Sequence, residues 1–228
     1  MKFLSFLSLY ALLVFGQNGF EYLSFKMIKR VNAVGKTTRV DALIFFQKNG
    51  DMVTYLDKPA ELFILNNREG ELQVYNPDKN AVFKSVNSNY GSQNNPFYYF
   101  LGEVPNMGLE QVGYKLVNTK VDEGMLVSTW EAPVNLRSEI KSVELVSDGE
   151  KPVFMGFIDK EGAYFKKMYF YQFTELRGIV FPEAITEIDY IEEDSIITKT
   201  TFHDFDFDNK SDLELVNFEI PENATLLK

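Results

Sequence analysis

The 228-residue chain has no cysteine and a single histidine, His203. Without cysteine there are no disulfides, thiolate nucleophiles, zinc ribbons or iron–sulfur clusters. One imidazole cannot build a multi-histidine metal centre, and no G-x-S-x-G elbow is present to pair it with a nucleophilic serine. Cations are also scarce: 23 Lys and Arg stand against 33 Asp and Glu, a formal charge of −10. Such a chain does not displace counterions from phosphate backbones, which excludes nucleic acid as a partner. Gly35-Lys36-Thr37-Thr38 lacks the upstream glycine of a phosphate loop, where Arg30 stands. After the N-terminus no apolar run is long enough to cross a membrane, and there is no repeat, low-complexity tract or linker. What is abundant is aromatic carbon: 21 Phe and 12 Tyr beside one Trp.

Residues 1–16 combine Lys2 with an uncharged apolar run and end on Gly16. The run is shorter than the ~20 apolar residues that span a bilayer, so it reads as a secretory signal cut before Gln17. The absence of cysteine there rules out acylation as a lipoprotein. The expectation is an exported, periplasmic chain without a lipid anchor, with 17–228 forming one domain.

Asn18 and Glu21 have capping-box spacing, and Phe20, Leu23, Met27, Ile28, Val31 and Val34 recur at helical intervals. This predicts an amphipathic helix over 19–34, capped by Gly35. Period-two runs follow at 38–47, 52–57, 61–66, 71–75, 81–86, 114–121, 125–131, 139–147, 153–159, 164–173, 179–190, 195–205 and 214–220. Short Gly-, Asn- and Asp-containing turns separate most of them. Connections that short make antiparallel neighbours. The run breaks at 87–112, where Asn95-Pro96 opens a short helix rich in aromatic residues. A sheet this large curls to limit its edges. The predicted fold is therefore mainly β with a few helices: a large curved antiparallel sheet forming an unclosed barrel, with a helical lid and room for a cavity.

Asp204, Asp206 and Asp208 occupy positions 1, 3 and 5 of a calcium loop, but Asn209 and Leu215 stand where glycine and glutamate belong. The segment reads instead as a strand end with Phe205 and Phe207 inward and the carboxylates in water, so no metal or cofactor is expected. The stretch 183–222 is crowded with Asp and Glu against Lys199 and Lys210. It reads as a solvated convex face, with a docking face for a basic partner as the alternative. Nothing singles out a carboxylate pair for glycoside hydrolysis, and no enzyme activity is expected.

Phe45-Phe46-Gln47, Lys58-Pro59-Ala60-Glu61-Leu62-Phe63, Gly70, Tyr75-Asn76-Pro77 and the closing Phe218-Glu219-Ile220-Pro221 follow one another in an order that resembles the LolA-type outer-membrane lipoprotein carriers and their lipoprotein-sorting relatives. The chain departs from that pattern in two places. Phe63 stands where the family places an arginine that helps hold the lid, and Leu72-Gln73 replace a tryptophan. The resemblance implies an unclosed β-barrel whose cavity takes the acyl chains of lipoproteins, or another lipid, between inner- and outer-membrane handover partners. The alternative it implies is a periplasmic lipoprotein- or lipid-sensing regulatory binding module on the same fold. The lid and lipid-binding candidates are Phe63, Tyr75, Phe97, Tyr98, Phe100, Leu101 and Trp130, in a protein expected to be a monomer.

Overall fold

The protein is described by a computed structural model over residues 20–87, 90–92, 96–101, 104–192, 194–209 and 213–227. Six strands come first: β1 (Tyr22–Ala33), β2 (Lys36–Gln47), β3 (Met52–Lys58), β4 (Leu62–Asn66), β5 (Glu71–Asn76) and β6 (Ala81–Val86). Helix α1 (Pro96–Leu101) and a 3-10 turn (Pro105–Gly108) interrupt them. Then come β7 (Lys115–Asp122), β8 (Met125–Glu131), β9 (Ile140–Asp148), β10 (Lys151–Asp159), β11 (Tyr164–Leu176), β12 (Ile179–Ile191) and β13 (Asp194–Phe207). A short helix α2 (Leu213–Val216) and β14 (Thr225–Leu227) close the chain.

All fourteen strands form one sheet in the order β14-β6-β5-β4-β3-β2-β1-β13-β12-β11-β10-β9-β8-β7. The strand pairs are antiparallel except β14, which lies parallel to β6. The two halves of the meander join where β1 pairs with β13. Among the described residues β14 and β7 are the end strands of the sheet, so the barrel is not closed, as expected.

Two expectations fail. The predicted helix over 19–34 is strand β1, paired along its length with β2 and β13; residues 18 and 19 lie outside the described region. The alternation along β1 is regular, with Leu23, Phe25 and Met27 all turned to the inner cluster, and the extra residue of the bulge opposite Ser24 and Lys26 lies on β13. The predicted helix cap is instead a two-residue hairpin turn, with Val34 at φ 48° and Gly35 at φ 70°. Two positive φ values in succession match the right-handed twist of the flanking strands. The predicted strand 214–220 is α2 followed by irregular chain. That segment lies across the face of the sheet and is anchored by side chains, not by a ladder.

The sheet buries apolar residues on both faces. On β2, Ile44 and Phe46 belong to an inner cluster, which also holds Phe100, Leu101 and Met107 of the cover. Phe45, between them, belongs to an outer cluster with Val53, Phe63, Tyr75 and Val82. Leu215, Phe218, Ile220 and Ala224 of the C-terminal segment cover that outer cluster. Adjacent Phe45 and Phe46 are both buried for this reason, since successive side chains point to opposite faces.

At the centre of the inner face Phe181 meets Phe25, Phe100, Phe202 and Phe205 at ring-centroid distances of 6.3, 5.9, 5.5 and 5.1 Å. Phe202 and Phe205 are three residues apart and would face opposite ways in a regular strand. Asp204, at φ 56°, sits in the bulge that brings both inward.

Asp208 ties the end of β13 to the start of β1. Its Oδ1 accepts from the Glu21 and Tyr22 N–H groups at 2.8 and 3.2 Å, and its Oδ2 accepts from Arg177 at 2.9 Å. Desolvation pushes this carboxyl up, but the two N–H donors and the guanidinium outweigh it and hold the group below the usual carboxylate range. A depressed folded-state pKa contributes stability above the unfolded value of about 3.9, lost as pH falls through the folded value. Asp208→Asn is therefore expected to flatten the acid limb of a melting-temperature profile below about pH 4. An unchanged acid limb would show that this carboxylate does not couple folding to pH.

Candidate inner-face site and its cover

The cover begins in the polar segment after β6. Ser92 donates its hydroxyl to the Gly50 carbonyl at 2.6 Å and its N–H to the Asn67 carbonyl at 2.9 Å, fixing this segment to two hairpin turns. Pro96, with its fixed φ and missing donor, then opens α1. The helix is too short to persist alone and is held by its contacts. Tyr98 packs edge-on against Phe46 at 5.9 Å. Phe100 meets Phe170 at 5.4 Å as well as Phe181, and both Phe100 and Leu101 are buried. Asn106, Met107 and Gly108 all have positive φ, which bends the chain sharply after α1. Gly108 cannot be replaced without movement, since a Cβ there would collide with the Tyr99 ring. Leu109 and Tyr114 carry the inner cluster on to β7.

Trp130 of β8 is buried in the same inner cluster, and its indole N–H donates to the Ser128 hydroxyl at 2.9 Å. That hydroxyl donates in turn to the Leu145 carbonyl at 3.1 Å. The structure thus gathers Tyr98, Phe100, Leu101 and Trp130 on one face. Phe97 lies in α1, but its side chain is outside the described region. Phe63 and Tyr75 are elsewhere. They sit on the outer face, where Phe218 stacks on Phe63 with centroids 3.9 Å apart and planes 7° apart, and lies 6.0 Å from Tyr75. Two open clefts of about 480 and 520 Å³ flank Phe218 on that outer face. Beneath the cover, the rings of Phe25, Phe170, Phe181, Phe202 and Phe205 line the inner face.

Arg68, in the turn between β4 and β5, was not recognised from the sequence. It donates to the Lys48 carbonyl at 2.9 Å, and its guanidinium lies 5.7 Å from the Tyr98 ring centre. It therefore links the β2–β3 turn to α1 by a hydrogen bond and a cation–π contact. Its place between Asn67 and Glu69-Gly70 carries a turn signal and nothing that indicates this reach.

The inner face turns polar towards the opposite end of the long strands. Lys166 of β11 reaches Glu187 at 2.8 Å and Asp189 at 3.3 Å, both on β12. Desolvation lowers the Lys166 pKa, but the two carboxylates more than offset it and the net direction is up. Glu187 and Asp189 thus face inward with a partner, so the acidic stretch is not one solvated convex face. Its last carboxylates diverge as well: Asp204 pairs with Lys26 at 2.8 Å and with His203 at 3.3 Å, Asp206 accepts from Asn209, and Asp208 is held as described. Among the described residues no group of three or more metal-ligating side chains comes together.

No family model matches this chain, and no curated protein is similar to it in sequence. Solved structures are similar in shape. A LolA superfamily protein from Nitrosomonas europaea superimposes with a TM-score of 0.59 at 14% identity, covering 86% of this chain and 90% of the other. The chain has the LolA-type fold. A candidate outer-membrane lipoprotein-sorting protein domain from Vibrio parahaemolyticus gives 0.58 at 15% identity, over 85% and 89%. A DUF1329 family protein from Desulfovibrio piger gives 0.57 at 15%, over 86% and 90%. The LolA-type fold accounts for the single large unclosed sheet with few helices. Among the described residues no helix is long and apolar enough to cross a membrane.

Proposed function

We propose that the protein is an exported, non-enzymatic carrier that takes acyl chains of a lipoprotein, or of another lipid, between the inner face of the sheet and α1. The observation behind this reading is the cover: a six-residue helix that presents Tyr98, Phe100 and Leu101 to an aromatic sheet face whose barrel is left unclosed. Hiding one acyl CH₂ from water is worth ~0.8 kcal/mol, so a chain of ordinary length binds without any catalytic group. In the closed state Phe100 and Leu101 take the place of cargo, because an empty apolar cavity is costly. Entry of an acyl chain requires α1 to lift, and the left-handed run at 106–108 is the bend at which it turns. Export rests on the signal-like residues 1–16 and gives a periplasmic address.

The test is displacement of a fluorescent fatty acid, together with mass spectrometry of lipid extracted from the purified protein. Replacing both Phe100 and Leu101 by Asp puts charge into an apolar contact, at several kcal/mol unless the helix moves out. The sheet is expected to remain folded while fatty-acid binding is lost. Normal binding by the folded double variant would sink the reading.

A further inference from the structure

Arg30 of β1 stands directly opposite Lys199 of β13 on one side and Arg39 of β2 on the other. All three point to the outer face. Met27, Phe202 and Ile44, an odd number of residues away on the same strands, belong to the inner cluster, and side chains alternate along a strand. All three cations are exposed. Arg39 is paired with Asp41. Among the described residues, no carboxylate lies within ion-pair distance of Arg30 or Lys199; Lys199 lies 5.6 Å from the Tyr171 ring centre. Like charges directly opposite one another destabilise a sheet, so Arg30 and Lys199, which lack the carboxylate that Arg39 has, work against folding unless something anionic meets them. In a chain of formal charge −10, such a row is not a product of composition.

The same face continues into exposed aromatic and aliphatic residues. Tyr169, Tyr190 and Ile197 are 38%, 41% and 41% exposed. Tyr169 lies across Thr186 from Lys199. Lys167 sits over the rings of Tyr164 and Tyr190 at 4.8 and 5.4 Å. Tyrosine has an apolar body and a polar tip, and lysine an apolar stem and a charged head; both suit a membrane–water interface.

We propose that this outer face of β2, β1, β13, β12 and β11 docks on an anionic phospholipid bilayer, with Arg30, Arg39 and Lys199 on the headgroups and Tyr169, Tyr190 and Ile197 in the interface. The exposed ring bodies of Tyr169 and Tyr190 and the side chain of Ile197 distinguish a bilayer from a soluble polyanion, which would have no use for them. The net acidity of the chain does not prevent this contact, because fields from distant charges are screened over about 8 Å at physiological salt. The cover lies on the other face of the sheet, so docking and cargo binding use different residues.

The experiment is co-sedimentation of the mature protein with vesicles of phosphatidylglycerol and phosphatidylcholine, against vesicles of phosphatidylcholine alone. Binding to the anionic vesicles that weakens as salt rises is expected. Arg30→Gln combined with Lys199→Gln should weaken it roughly thirty-fold, at about 1 kcal/mol per cation. Lys115→Gln with Lys151→Gln, away from the row, should leave it unchanged, and Arg30→Lys, which keeps the charge, should retain it. The melting temperature of the Arg30/Lys199 variant should match or exceed that of the parent, since like-charge opposition is relieved. Equal partition onto both vesicle types, or undiminished binding by the Arg30/Lys199 variant, overturns the proposal. So does binding to heparin without binding to vesicles, which would indicate a soluble polyanion. None of these readouts depends on fatty-acid binding, so this proposal and the carrier reading fail separately.

Discussion

Phe181→Ala is expected to destabilise the protein by about 3–5 kcal/mol, measured by denaturant unfolding. Phe181 has no exposed surface. Its ring touches rings from β1, from α1 and twice from β13. The contact with β1 spans the junction of the two halves of the meander. Truncation leaves a cavity walled by strands that are fixed by hydrogen bonds on both sides, so the wall cannot close and the cost sits at the upper end for a buried aromatic. For a chain of this size the melting temperature should fall by roughly 6–20 °C. Tyr190→Ala, on the half-exposed outer face, serves as the control and should change stability by under about 1 kcal/mol. A loss that small for Phe181→Ala would mean that the two halves are held together by backbone pairing alone.

Phe218→Ala should release the C-terminal segment from the sheet. Phe218 is half-buried, stacks on Phe63 and approaches Tyr75, and the open clefts lie on either side of it. The segment 217–224 has no strand ladder, so ring stacking and burial are its main hold on the outer face. Loss of the ring is expected to cost about 2–3 kcal/mol, below the range for a fully buried phenylalanine. The second effect is local: limited proteolysis should cut within 217–224 far faster than in the parent protein. Fatty-acid displacement should be unaffected, because the inner cluster does not include these residues. A protected segment in the variant would place the anchor in β14 and its pairing with β6. Lost fatty-acid binding would place the cargo site on the outer face, beside Phe63 and Tyr75.

The sequence by itself determined the class of structure and the kinds of chemistry it lacks. Alternating apolar residues between Gly- and Asn-containing turns located β2 to β13 to within a few residues, since connections mostly of two to four residues leave an antiparallel hairpin little choice of partner. Asn95-Pro96 and the aromatic run after it marked the interruption, because proline can begin a helix and cannot continue a ladder. The tertiary structure decided the rest. The segment 20–34 is a strand because β2 and β13 offer it hydrogen bonds on both edges, and no local spacing can register a partner some 170 residues away in the chain. The run 214–220 is not a strand because an aromatic groove on β4 and β5 was available to Phe218. Phe63 and Tyr75 look equivalent to Phe100 and Trp130 as sequence, yet they lie on the opposite face of the sheet. In a strand one residue of register decides the side, and here both sides are covered, so apolar character alone does not reveal which. The row formed by Lys199, Arg30 and Arg39 likewise exists only through pairing, since Arg30 and Arg39 meet only once β1 is a strand in a hairpin with β2, and Lys199, far away in sequence, joins them only when β13 pairs with β1.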